Sequence, residues 1–309
     1  MKNLTYILIL SSTLIFAQQF KIEHKQNDNN TVNFTYKKSI PNSVTVILEL
    51  NSLNNTNSPK KIIKTISKPQ GNFLTLKPTN QEENIRFGYS YKYFNNTINP
   101  NIDREFVYIL PFKKGNQMHV EELSNLGSTY SSKETPKGWK SYSFSSHEQQ
   151  DIFPARKGVV IKINDGFKPD LSKNFIYSSK MNSILIEHDD GTIASYSGFD
   201  NNKIYVETGD VVYPEINPLG KTTIFDSQKI HKIYFQIYYY HTKEGVKMSN
   251  LKSSNQTENI FITPTFINDN KKIKLQKGLS YTSDYNEETL FQNFSKKQVK
   301  KYKKGKPIN

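Results

Sequence analysis

Cysteine is absent from the 309 residues, which excludes disulfides, thiolate nucleophiles, iron–sulfur clusters and every zinc site built on cysteine. Histidine is scarce, at 6, so any metal site has to combine those few imidazoles with Asp or Glu. Arginine occurs only at Arg86, Arg104 and Arg156. Bidentate recognition of phosphate and guanine favours arginine, so the composition argues against a nucleic-acid reader. A mean hydropathy of −0.68 leaves no room for a multi-span membrane protein. Internal repeats and Gly-rich phosphate loops are lacking as well. What the chain does have is aromatic residues, 19 Tyr and 19 Phe, too many for a disordered polar chain. At roughly 100–200 residues per domain the length suggests two domains.

The one apolar run, Leu4 to Phe16, follows Lys2 and ends at Ala17 before Gln18-Gln19. It reads as a secretory signal peptide, residues 1–17, cleaved after Ala17. It is short for a span, which needs about 20 apolar residues, so a retained anchor is the lesser alternative. With no cysteine at the cleavage site a lipid anchor is excluded. The expected location is the periplasm or cell exterior, associated with the envelope.

Net charge is +14. Setting aside residues 1–17 removes one Lys and no acid and leaves +13, of which seven charges come from Lys296–Asn309, a stretch without any acid. Residues 286–309 are bounded as a basic tail, and the plain expectation for Lys296–Asn309 within it is a solvated, disordered terminus; the sharper one is contact with an anionic envelope polymer or lipid.

Period-2 alternation and β-rich composition recur at Thr31–Tyr36, Ser43–Leu50, Lys61–Ser67, Asn72–Leu76, Ile85–Phe94 and Glu105–Phe112, with Asn, Ser, Pro and Gly between them. These predict an N-terminal β-sandwich-like module over residues 18–113. Phe87, Tyr89, Tyr91 and Tyr93 fall on one face of their strand and read as core, a carbohydrate platform being the alternative. A second β region over 114–242 and a C-terminal β extension over 243–285 follow. Within the extension, Ile260–Thr263 and Lys272–Gln276 look like a hairpin turning at Asn268-Asp-Asn270. Helix signals are confined to Asn286–Phe294. The fold class expected is all-β.

Four pieces of the second region stand in order: Ile152-Phe-Pro-Ala-Arg-Lys-Gly-Val-Val160, Ile184 to Tyr196 with Glu187-His-Asp-Asp-Gly191 inside it, Val206-Glu-Thr-Gly-Asp-Val-Val212 with Leu219-Gly220, and Ile233-Tyr-Phe-Gln-Ile237. Together they resemble the lysostaphin/LytM-type zinc peptidases, whose β domain cuts peptidoglycan cross-bridges. That family holds zinc with a His, an Asp a few residues later, and the second His of a His-x-His strand. The first His of that strand and a His in a Tyr-x-His-Leu turn assist the bound water.

Carried over by residue, every one of these positions is replaced. The Asp falls on Ser143, and no His lies between Ser131 and Tyr142. The Tyr-x-His-Leu turn reads Tyr196-Ser-Gly198-Phe199, and the His-x-His strand reads Lys232-Ile-Tyr234. A catalytic zinc needs three protein ligands and one open position. An ammonium repels the ion, and a phenol with pKa near 10 is a poor stand-in for imidazole. No metal, cofactor or catalytic residue is therefore expected.

His147 and Asp151 have His-x-x-x-Asp spacing but would need a shifted register to serve. His231 is one residue from the former ligand strand position, which turns it to the opposite face. Lys232, Tyr234 and Gln236 share the groove side; Ile233, Phe235 and Ile237 share the other. His188 is expected to make a structural hydrogen bond, and His24, His119 and His241 have no ligand-spaced partner.

The resemblance thus implies an exported, catalytically degenerate peptidase homologue that binds peptidoglycan or a cell-wall hydrolase. Its former groove would be lined by Ser143, Tyr196, Gly198, Lys232 and Tyr234, with the tyrosines stacking and Lys232 attracting carboxylates. An active zinc endopeptidase with a rearranged site, using His147, Asp151 and one of His188, His231 or His241, is the rival; a structural adhesin is a third reading.

Overall fold

In Val32–Lys38 every second side chain, Val32, Phe34 and Tyr36, turns inward while those between face out, as the pleat of a half-buried strand requires. The computed structural model describes residues 19–123, 135–169, 181–224 and 229–308. The expected signal segment 1–17 and residues 131–134 before Trp139 lie outside them. The protein is all-β, as the alternation predicts, apart from short helical turns and two C-terminal helices.

The first six strands are β1 (Phe20–Gln26), β2 (Val32–Lys38), β3 (Val44–Asn54), β4 (Lys61–Ile66), β5 (Gln70–Leu76) and β6 (Arg86–Asn95). They form two antiparallel three-stranded sheets, β1-β2-β5 and β4-β3-β6. One hydrophobic cluster fills the space between, with Phe20, Phe34, Phe73 and Leu76 from the first sheet and Val44, Val46, Leu48 and Ile66 from the second. The β6 aromatics Phe87, Tyr89, Tyr91 and Tyr93 pack half-buried against it. Phe87 and Tyr89 close on Phe34 at ring separations of 5.4 and 5.3 Å.

The remaining strands are β7 (Val107–Tyr108), β8 (Gln117–Glu122), β9 (Tyr142–Ser146), β10 (Asp151–Ile152), β11 (Gly158–Asn164), β12 (Ser183–Glu187), β13 (Ile193–Ser197) and β14 (Phe199–Ile204). They continue as β15 (Val211–Val212), β16 (Gly220–Ile224), β17 (His231–Thr242), β18 (Thr257–Ile262), β19 (Thr265–Asn268), β20 (Lys271–Ile273) and β21 (Ser280–Thr282). The main sheet runs β15-β11-β12-β13-β17-β9-β8-β21. Its hub is β17, which pairs β13 and β16 along one edge and β9 and β18 along the other. A second core lies against one face of this sheet, with Tyr142, Phe144, Ile184, Ile186, Tyr196, Ile233 and Phe235 all buried in it.

Two boundaries differ from the sequence reading. Glu105–Phe112 was expected to end the first module, yet Phe106, Tyr108, Leu110 and Phe112 belong to the second core. Only Val107–Tyr108 is strand, paired in parallel with β19. The chain therefore passes to the second core before this segment rather than after it. The C-terminal hairpin turns where expected, through Asp269 and Asn270 at φ 50° and 56°. Its first arm is Thr265–Asn268 rather than Ile260–Thr263. A two-residue turn with positive φ joins the strands immediately beside it, and Ile260–Ile262 is already paired to β17.

The basic tail is folded. Asn286 caps α1 (Glu287–Leu290), and Ser295 with Gln298 forms a capping box on α2 (Lys296–Lys303). Gln292 bonds both the N–H and the C=O of Val107, at 3.3 and 3.0 Å, and so acts as a neighbour to that strand. Gln298 Nε2 donates to the Tyr213 hydroxyl at 2.6 Å. Tyr302 meets Phe291 edge-on at 5.3 Å, and Ile308 is buried. The expected solvated terminus is overturned because Gln292, Gln298, Tyr302 and Ile308 supply anchors that a count of lysines does not reveal.

Candidate binding face

Register across the main sheet places its side chains in two sets. In Ser141-Tyr-Ser-Phe-Ser145 and Ile193-Ala-Ser-Tyr-Ser197 the serines alternate with residues that enter the second core. The pleat therefore sends Ser143, Ser145, Ser195 and Ser197 to the opposite face. On β17, Lys232, Tyr234 and Gln236 share that face, while Ile233, Phe235 and Ile237 are fully buried beneath.

Pairing then brings these residues into rows. Tyr234 stands opposite Ser197 on one side and Ser143 on the other, with Ser183 beyond Ser197 and Glu121 beyond Ser143. Gln236 stands opposite Ser195, itself opposite Leu185. Lys232 lies between Thr223 and Ser145. A larger phenol, amide and ammonium thus rise from a floor of serines. At the far end the same face turns apolar, where Ile193, Tyr238 and Phe261 cluster with Trp139 and Leu185. The Trp139 and Phe261 rings are 4.7 Å apart.

Two hollows open beside these rows. One of about 620 Å³ is lined by Asn164, Asp165, Phe167, Asn182, Ser183 and Ser197. It is held open by the buried Asn182 amide, which accepts from Phe167 N–H at 2.8 Å and donates to the carbonyls of Phe167 and Phe199 at 2.8 and 3.0 Å. The other, of about 350 Å³, is lined by Gln149, Asp200, Thr223 and His231 among others. Both lie at the serine–lysine end of the face.

Of the five residues expected to line a groove, Ser143, Lys232 and Tyr234 come together on this face. Tyr196 does not. It is fully buried on the core side, its ring 5.1 Å from Phe235, and its hydroxyl accepts from Ala155 N–H at 2.8 Å. The cause is register: Tyr196 pairs with Ile184 and Phe235, whose side chains define the core. Burial also pushes its phenol far above the ordinary range. Gly198 is buried at a bend with φ 118°, held by Gly198 N–H to Asn182 O and Thr223 N–H to Gly198 O, both at 2.9 Å. That backbone conformation favours glycine, so the position lends shape and no side chain. The serines at 145, 183, 195 and 197 were missed; their signal was the strict alternation with apolar partners.

The histidines are scattered. His188 is sealed in the interior, Nδ1 at 2.8 Å from the Thr192 hydroxyl, which gives the expected structural hydrogen bond. Burial, and then the nearby Arg156 charge, lower its pKa to about 3 against the opposing pull of Asp190. Arg156 is itself buried, stacked 3.8 Å over the Phe106 ring and paired with Asp190 at 2.8 Å. His147 is exposed, and Asp151 faces Lys221 at 3.9 Å. His231 Nδ1 lies 3.4 Å from Thr222 O, and His241 Nδ1 bonds Thr242 O at 2.7 Å. Among the described residues no three His, Asp or Glu side chains converge as a metal site. The hydroxyls of Ser143 and Tyr234 beside the Lys232 ammonium do not suit a zinc ion, which prefers imidazole, thiolate or carboxylate. The arrangement can bind an extended polar chain. At the margin of the same face Glu121, opposite Ser143, pairs with His119 Nε2 at 3.1 Å, and His119 stands opposite Ser145. The chain matches no protein-family model and no curated protein.

Proposed function

We propose that the protein is an exported, non-hydrolytic binding protein of the cell envelope, a degenerate relative of the LytM-type peptidases, that holds an extended peptide on the serine-floored face of its main sheet. The observation that carries this reading is the row Ser197–Tyr234–Ser143. Small side chains stand on both flanks of a central phenol, a stepped floor that suits a strand-like ligand. Lys232 beside it supplies a charge-assisted contact for a ligand carboxylate. The apolar cluster around Trp139 and Phe261 accommodates a methyl-bearing side chain at the other end. Such a gradient from cation to hydroxyls to apolar surface suits the short acidic peptides of peptidoglycan.

The test is sedimentation with isolated cell wall, and titration with its stem peptides, for the mature chain and for the Lys232→Ala/Tyr234→Ala variant. A loss of about tenfold, or about 1.4 kcal/mol, is expected with the melting temperature unchanged. Equal binding by the variant overturns the reading. Wall binding that requires an added hydrolase transfers the site to a protein partner.

A further inference from the structure

We infer that α2 is a pre-organised docking surface for a linear polyanion, independent of the sheet face. At about 100° per residue, the five helix lysines Lys296, Lys297, Lys300, Lys301 and Lys303 occupy one continuous arc of roughly 160°. Gln298, Val299 and Tyr302 take the opposite side, against the protein. Lys304, the C-cap residue, and Lys306 beyond it extend the basic face. Lys303 pairs with Glu287 at 2.6 Å, whereas Lys296, Lys297, Lys300, Lys304 and Lys306 have no carboxylate within 4 Å among the described residues. Such clustering leaves a strongly positive stripe whose repulsion would ordinarily favour a loose chain. Here the capping box, the Gln298–Tyr213 bond, the edge-on Tyr302–Phe291 contact and buried Ile308 hold it in one shape.

The shape selects the partner. An interfacial helix binds a bilayer by burying an apolar face beneath a basic one. The apolar side of α2 is already spent on Phe291 and Phe294, so no wedge remains to enter lipid. Lys296, Lys300 and Lys304 instead form a ridge with charges about 6 Å apart along the axis, suited to a flexible chain bearing regularly spaced phosphates. Lysine ammoniums act as point charges without demanding a fixed fork geometry, which fits a polymer of uniform charge rather than one defined headgroup.

The experiment measures binding of the mature chain to long-chain inorganic polyphosphate across a salt series, beside vesicles of phosphatidylglycerol. Three proteins are compared: wild type, a variant carrying Lys296→Gln, Lys297→Gln, Lys300→Gln, Lys304→Gln and Lys306→Gln, and a Tyr302→Ser/Ile308→Ser variant that keeps every lysine but frees the helix. The charge variant is expected to bind polyphosphate at least tenfold more weakly at low salt. Its slope of log affinity against log salt should fall by about 3.5–4.5, at roughly 0.7–0.9 per neutralised contact. The freed variant is expected to lose affinity at unchanged charge. Unchanged affinity and slope in the charge variant overturn the proposal. Unchanged binding by the freed variant overturns pre-organisation, and lysine-dependent binding to vesicles stronger than to polyphosphate replaces the polymer with a membrane.

Discussion

The backbone N–H of Ser43, just before β3, donates to Oε2 of Glu187, at the end of β12, at 2.7 Å, and the Ser43 hydroxyl bonds the other carboxylate oxygen. The same hydroxyl lies 2.8 Å from that of Thr97. A buried carboxylate on the last residue of β12 thus ties the start of β3 to the main sheet. Beside it Ile47, Phe94, Ile98 and Leu251 form a small apolar cluster across the same join.

Burial raises the Glu187 pKa above the ordinary carboxylate value, against the hydrogen bonds from Ser43 and Thr97. A raised folded-state pKa means that the stability this group contributes is fully present below its unfolded value and is lost as pH rises through the folded one. Urea denaturation of Glu187→Gln should therefore show a gain over wild type that is larger at pH 8 than at pH 5. Glu187→Ala, which leaves Ser43 N–H without its acceptor, should lose about 1–3 kcal/mol. A wild-type-to-Gln difference that is the same at both pH values would refute the assignment.

His188 acts in the opposite sense. Its folded-state pKa is depressed to about 3, so the unfolded chain binds a proton that the folded chain refuses. Stability from this residue is complete above the ordinary imidazole value near 6.5 and declines as pH falls toward 3. Thermal melts from pH 7 to pH 4 should show a smaller loss for His188→Gln than for wild type. Parallel curves would mean that other groups carry the acid sensitivity.

Tyr196→Phe separates a core role from a binding role. Removing the hydroxyl strands the buried Ala155 N–H, at an expected loss of about 1–3 kcal/mol, while wall binding by the folded fraction stays at wild-type level. Reduced binding at unchanged stability would return Tyr196 to the ligand.

Zinc offers a further check. Tight binding to the folded state alone raises the melting temperature with metal concentration. Neither excess zinc nor a chelator is expected to shift the melt of the mature chain, and elemental analysis should find well under one zinc per chain. A full equivalent lost in His147→Ala would favour the rearranged peptidase site.

Period-2 patterning made β2 and the two sides of β17 legible, because each buries alternate side chains, whereas β4 and β6 each bury one residue, Ile66 and Phe94, and were read from their β-branched and aromatic composition. β1 was harder to see: in Phe20–Gln26 only Phe20 and Ile22 are buried, and its outer residues carry no apolar pattern. Tyr196 was misplaced because the resemblance supplied a turn, whereas its pairing with Ile184 and Phe235 decides the side. Ala194 and Tyr196 alternating with Ser195 and Ser197 already held that answer. In the tail the helix signal at Asn286–Phe294 corresponds to α1, but the folding of the lysine-rich part was not legible, since its anchors Gln298 and Ile308 act through partners far away in sequence.

The parallel pairing of β7 with β19 also sets an order of assembly. The first module possesses all its strands once Asn95 has been made, and its contacts are local enough to close early. Phe106, Tyr108, Leu110 and Phe112 emerge next, but Phe266 and Leu275, which share their core, are among the last residues synthesised. Until then their cover is incomplete, since Phe266, 6.2 Å from the Tyr108 ring, is still missing, the condition under which nascent chains associate wrongly. A chain ending before Leu275 would keep a complete first module and expose an unfinished second one, so the two halves differ in how they tolerate truncation.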